Sequence, residues 1–214
     1  MTEKRRLAYV PILHTQLDMG SLAAGMRHAY EQTYGAAQWR QHERAIADFW
    51  RGLGEKIDSL VRDPPCVRIY QDGLPVCGRE REIVAELAKR GSPNHEIVQQ
   101  LLERGAHLEG TEDPESLVAE YRLVKQSLEI LDLDERNRFA ERATHLKSEL
   151  LHKRDHFIGK RIGETLKPGE LGILFIGLIH DVTRSLPADV QVEYVIYRLP
   201  FRRVDHRNGL ASPP

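Results

Sequence analysis

Residues Gly169–Val182 read "GELGILFIGLIHDV", and the reading of this stretch decides the fold. From Leu171 to Ile179 every residue is apolar or glycine, the pattern of a strand buried in the core. It stops at His180 and Asp181, two polar residues where a core strand ends. Upstream, "DERNRFAERATHLKSELLHKRDHFIGKRIGETL" (134–166) has helical spacing and is stopped by Pro168-Gly169. Downstream, "VQVEYVIYRL" (190–199) reads as a last strand.

The same alternation runs back to the start of the chain. "RRLAYVPILH" (5–14), "CVRIYQDG" (66–73) and "AHLEGTEDP" (106–114) read as strands. Between them lie helical patterns at 21–35, 36–61, 79–91, 92–105 and 115–131, closed by Gly35, the "DPP" at 63–65, Gly91 and Gly105. Ser92 is placed to cap the fourth of these helical stretches, with Pro93 at its first helical position, and Asp113-Pro114 opens the next. Asp18 or Ser21 is the expected cap of the first helix. The expected fold class is α/β: a mostly parallel central sheet of about five strands with right-handed crossovers, rich in helix. The expected organisation is one domain over residues 1–205, with a helical insertion around 20–62 and a flexible tail at 206–214.

Composition narrows the function classes. With 31 Lys and Arg against 32 Asp and Glu, the net charge of −1 gives no support for nucleic-acid or membrane-surface binding. The start, "MTEKRRLAYVPILH", has no small-residue cleavage site, and no apolar run reaches the roughly 18 residues that span a bilayer. A cytoplasmic location is expected. Cys66 and Cys77 are 11 apart, a spacing that fits neither a zinc knuckle nor a redox pair, and both are expected reduced, as small buried or half-buried side chains. No phosphate-cradling glycine loop and no G-x-S-x-G is present, which disfavours a serine or cysteine nucleophile.

In a parallel sheet the strand C-termini share one edge, where open α/β sheets bind ligands. The residues delivered there are His14, Asp72, Glu112 and His180. The long helix adds a charge: its buried stripe of Phe139, Ala143, Leu146, Leu150/Leu151, Phe157/Ile158, Ile162 and Leu166 predicts an inward position at 154 or 155, occupied by Arg154 and Asp155. Twelve residues back from Leu166 is roughly 18 Å of helix, about the climb along the strand to His180, so Arg154 or Asp155 is expected level with His180. His152 and His156, four apart, sit in a charged face. His95, His107 and His145 show no partner pattern. Trp39, Phe49 and Trp50 read as core or interface rather than a ligand platform, with a homodimer as one expected use.

Between Arg154 and Leu199 the chain carries an Arg-Asp pair in a helix, Ile162, Thr165-Leu166, Gly169-Glu170, an apolar strand and Gly177-Leu178-Ile179-His180. This order resembles the G-x-x-H superfamily that groups TraB-like proteins, TIKI metalloproteases, ChaN-like haem-binding proteins and erythromycin esterases. "PILH" would match a first G-x-x-H with Pro11 in place of glycine, and Asp72 stands where Glu is frequent. The resemblance implies a hydrolase, with or without metal, or a binding protein, and the first reading of the polar strand ends is a hydrolase. His14, Glu112, Arg154 and His180 would be catalytic, and His14, Asp72, Glu112 and His180 could hold a divalent metal such as Zn²⁺ or Mn²⁺. Without metal, a His–carboxylate pair would act as base and Arg154 would stabilise the oxyanion. The alternatives are a small-ligand-binding or dimeric interaction protein on the same scaffold, or a polar network without activity. A small-molecule or peptide substrate is expected in the first case.

Overall fold

A computed structural model describes residues 4–13 and 22–197. Five strands form one sheet: β1 (Arg5–Ile12), β2 (Val67–Gln71), β3 (His107–Glu109), β4 (Leu171–Gly177) and β5 (Val190–Tyr194). Their order is β3-β2-β4-β1-β5 and every pairing is parallel. Helices α1 (Ala23–Tyr34) and α2 (Ala36–Leu60) join β1 to β2. α3 (Glu80–Lys89) and α4 (Pro93–Glu103) join β2 to β3, and α5 (Pro114–Glu129) and α6 (Leu133–Thr165) join β3 to β4. The expected helix-rich α/β fold is therefore the one observed.

Both faces of the sheet are covered, which is why β4 at its centre reads as an unbroken run of apolar residues and glycine. Leu7, Tyr9, Tyr70, Leu174 and Ile176 pack on one face against Ile158, Ile162 and Leu166 of the α6 end. Ala8, Val10, Ile12, Ile69, Ile173 and Phe175 face the other way, against Phe49, Trp50, Leu53 and Ile57 of α2 and Val98 and Leu101 of α4. Within the stretch around 20–62, α2 packs on the sheet and supplies a wall of the core. Its caps at Asp18 or Ser21, and the tail 206–214, lie outside the described residues.

Several local expectations change. Cys66 and Cys77 are exposed rather than buried, since each sits in a connection flanking β2 and not in the strand. Leu146 is exposed, although Ala143 one turn earlier on α6 is buried. Ser92 holds the position before α4 but makes no capping bond, and its hydroxyl lies 2.8 Å from Nδ1 of the buried His95 instead. β5 stops at Tyr194, short of 199. β4 ends at Gly177, not at His180, because Ile12 and Gln71 on either side are the last paired residues of β1 and β2. The apolar run continues as a turn, with His180 N–H donating to the Gly177 carbonyl at 3.1 Å and with Leu178 and Ile179 exposed.

α6 approaches the segment after that turn closely at Gly159, where a Cβ would lie 2.6 Å from both the Cβ and the carbonyl oxygen of Ser185. Gly159→Ala is expected to cost about 1–3 kcal/mol through overpacking. Its urea midpoint should fall well below that of wild type, and an unchanged midpoint would mean that the two segments separate freely.

Candidate functional site at the β2/β4 edge

From the centre of the sheet, β2 leads outward to β3 while β4 crosses β1 to reach β5. The two connections leave in opposite directions, so the crevice of this sheet opens between the C-terminal ends of β2 and β4. Asp72 follows β2 and His180 follows the turn after β4. Both project toward the α6 side, with side chains only 4% and 2% exposed.

Asp72 is locked in place by Gly177 N–H, which donates to its Oδ2 at 2.8 Å. Gly73 turns the chain at φ +74°, a left-handed backbone that favours glycine, and its N–H donates to Glu112 Oε1 at 2.7 Å. Glu112 does not end β3, which is three residues long and stops at Glu109. It is carried to the site by a second pairing, a parallel bridge between Pro75 and Glu112 with Val76 N–H donating to the Glu112 carbonyl.

Arg154 and Asp155, neighbours on α6, are both buried and divide the work. Arg154 donates to Glu112 through Nε (2.5 Å) and Nη2 (2.7 Å), to Asp72 through Nη2 (2.9 Å), and to Glu120 of α5 through Nη1 (2.5 Å). A buried guanidinium demands this kind of enclosure, since an unpaired one would carry a desolvation cost of several kcal/mol. Asp155 Oδ1 lies 2.5 Å from His180 Nδ1, and its Oδ2 accepts from Asp181 N–H at 3.0 Å. A carboxylate can accept but not donate, so Nδ1 carries the proton and Nε2 is the free base of the neutral ring. Nε2 faces Asp72 Oδ1 at 3.9 Å, beyond a direct hydrogen bond. The Tyr9 hydroxyl donates to the His180 carbonyl at 3.0 Å and fixes the turn from beneath.

The spacing argument placed Arg154 or Asp155 level with His180, and it is Asp155 that touches the imidazole. The signal for Asp155 was its place on the inward arc of α6. Glu120 and Tyr9 had no such signal, because each is brought in from an element whose periodicity says nothing of the partner. Asp72, Glu112, Arg154 and His180 converge as expected, while His14 lies outside the described residues. Asp181 braces the following turn through Thr183 (2.6 Å) and Arg184 (2.8 Å). His152 and His156 are exposed, and Trp39, Phe49 and Trp50 are buried within the protomer.

No family model, curated protein or solved structure matches this chain. The reading of the site therefore stands on its own geometry.

That geometry bears on the expected metal. Among the described residues, no group of three or more His, Cys, Asp or Glu is arranged to hold an ion. Both Glu112 oxygens are taken by Arg154, and the two Asp72 oxygens by Arg154 and by Gly177 N–H, which leaves Nε2 of His180 as the donor among the expected ligands that are described. As they stand, the described residues do not fit a resident divalent ion.

Burial pushes the Glu112 carboxyl up to about 7, against the pull of the Arg154 hydrogen bonds, and the adjacent Asp72 charge adds to the rise. For His180, burial alone would lower the pKa, but the Asp155 hydrogen bond and the Asp72 charge outweigh it and the net shift is upward. Both groups favour protonation when folded. The Glu112 contribution to stability is full below about pH 4.5 and is lost as pH rises through about 7. That of His180 is full below 6.5 and is lost through its raised value. The unfolding free energy is expected to fall between pH 5 and 8 as Glu112 and then His180 lose their protons. Glu112→Gln should flatten the lower part of that profile in urea titrations. A wild-type profile that rises with pH would contradict the assignment.

Proposed function

We propose that the protein is a hydrolase acting on a small ester or peptide by acid–base chemistry at the β2/β4 edge. The observation that carries this reading is the 2.5 Å contact between Asp155 and His180, beside the carboxylate-enclosed Arg154. Such an Asp–His pair orients one ring nitrogen and leaves the other to take a proton. In the proposed step His180 Nε2 takes a proton from water, whose oxygen bonds to the scissile carbonyl carbon. The carbonyl π electrons move onto oxygen, and collapse of this intermediate expels the leaving group, which receives the proton back from Nε2. Arg154 Nη1, paired with the 40%-exposed Glu120, is the guanidinium nitrogen placed to turn toward the developing oxyanion. The acid–base version is preferred to the metal-assisted one because Arg154 occupies Glu112. The order of motifs shared with the G-x-x-H superfamily supports the same class, and we place the protein in the cytoplasm.

No helix among the described residues is long and apolar enough to cross a membrane.

The test is a turnover screen over esters, peptides and phosphoesters with wild type and His180→Ala. Hydrolysis of one class that His180→Ala loses, with folding retained by circular dichroism, supports the reading. Activity that appears only with added Zn²⁺ or Mn²⁺ shifts it to the metal-assisted form. A second reading, a small-ligand or interaction module, is favoured by one observation: Arg154 already has carboxylate partners for four of its hydrogen bonds. No turnover in any class would favour it, and sedimentation of the same samples reads the accompanying homodimer.

A further inference from the structure

The turn that carries His180 is built from residues that turns rarely use. His180 N–H donates to the Gly177 carbonyl at 3.1 Å, so Leu178 and Ile179 fill its two central positions. Gly, Pro, Asn, Asp and Ser favour such places, because each eases the bend or bonds back to the backbone. Leu and Ile do neither. They are 68% and 70% exposed, so they add little to the core. Two large apolar side chains, side by side and serving neither bend nor core, mark a contact surface.

Their position says what that surface meets. The turn is held from three directions: Gly177 N–H donates to Asp72, the Tyr9 hydroxyl to the His180 carbonyl, and Asp181 N–H to Asp155. Ile179 directly precedes His180 and belongs to the same fixed turn. The polar groups beside the imidazole are engaged with one another or with the ring, through Arg154, Asp72, Glu112 and Asp155. The exposed side chains that the turn offers next to the proposed base are apolar.

We propose that Leu178 and Ile179 are the specificity surface of this site, and that its substrate is an ester with an uncharged apolar chain close to the scissile carbonyl. The inference rests on the hydrolase reading of His180 and adds the substrate class. A chain laid on the pair removes apolar surface of both partners from water, and each methylene so covered favours binding about three- to fourfold.

Two ester series test it: p-nitrophenyl acetate to octanoate, and ethyl to octyl acetate, which place the chain on either side of the carbonyl. In wild type, kcat/KM is expected to rise about three- to fourfold per methylene along at least one series until the pair is covered. In the double variant Leu178→Ser, Ile179→Ser the loss should grow with chain length and reach about 30-fold at octyl. Because both side chains are exposed, its urea midpoint and sedimentation should match wild type. The ketones 2-butanone, 2-hexanone and 2-octanone carry the carbonyl without a leaving group and give a readout without turnover. Their affinity should rise with length, their binding should shift the His180 nitrogen resonances, and the double variant should flatten the trend. Ester turnover with no chain-length dependence, or with one that the double variant retains, overturns the inference and leaves the hydrolase reading standing. A graded response to the ketones without any ester turnover does the reverse: the apolar subsite stands and the chemistry falls. Neither turnover nor graded ketone binding overturns both. A lowered urea midpoint or altered sedimentation in the double variant would mean that the chain itself or a second copy covers the pair, and would overturn the inference as well.

Discussion

Arg154→Met is expected to lower the unfolding free energy by about 3–5 kcal/mol, the largest single-residue effect outside the apolar core. The guanidinium is the shared counter-charge of Asp72, Glu112 and Glu120, two of which are almost wholly buried. Removing it leaves like charges together at the end of β2 with no water to screen them. The loss should shrink at pH 5, where Glu112 is protonated, and grow at pH 8. Adding Glu112→Gln to Arg154→Met should restore part of the loss, because the remaining charge is then reduced. A double-mutant cycle in urea measures that coupling. Additive losses would mean that the two residues act separately, contrary to the two hydrogen bonds that join them. Arg154→Lys should fall between, since a point ammonium cannot span Glu112, Asp72 and Glu120 at once.

The second large effect is on chemistry. In Asp155→Asn the Asp181 N–H still requires an acceptor at the Oδ2 position, so the amide oxygen goes there and the amide nitrogen faces His180 Nδ1. An NH₂ group donates, which forces the ring proton onto Nε2 and removes the base. Turnover of whichever substrate the screen finds should therefore fall about 10²–10⁴-fold, nearly as far as in His180→Ala, with KM little changed. The wild-type rate should rise with pH through a value above 6.5, as the raised His180 loses its proton. Nitrogen NMR of the imidazole gives a readout that does not depend on substrate: Nδ1–H in wild type, Nε2–H in Asp155→Asn. Finding Nδ1–H in both would sink the tautomer argument while leaving the fold intact.

Why was His180 legible in the chain and its immediate partner less so? A buried strand advances about 3.3 Å per residue and a helix about 1.5 Å, so the level at which α6 faces the end of β4 follows from counting. Counting does not resolve which of two adjacent helical residues, 100° apart on the wheel, meets the imidazole. Arg154 and Asp155 are both inward because α6 is flanked on one side by the Asp72–Glu112 corner and on the other by the turn Gly177–His180. Glu112 illustrates a different gap. It was expected as a strand end, and it reaches the site through the Pro75 bridge, a pairing that local propensity does not encode.

By itself the amino-acid order determined the alternation of strands and helices, the parallel sheet, and the set of polar residues that follow the strands. Those are consequences of local periodicity and of capping and breaking residues, which act over a few positions. Only the tertiary structure decided that β4 lies between β1 and β2, that Arg154 is enclosed by three carboxylates while Asp155 takes the imidazole, and that Leu178 and Ile179 stay outside the core. Each of these depends on distances between segments far apart in the chain, where the packing of whole elements, and no neighbour in sequence, sets which charges and rings meet.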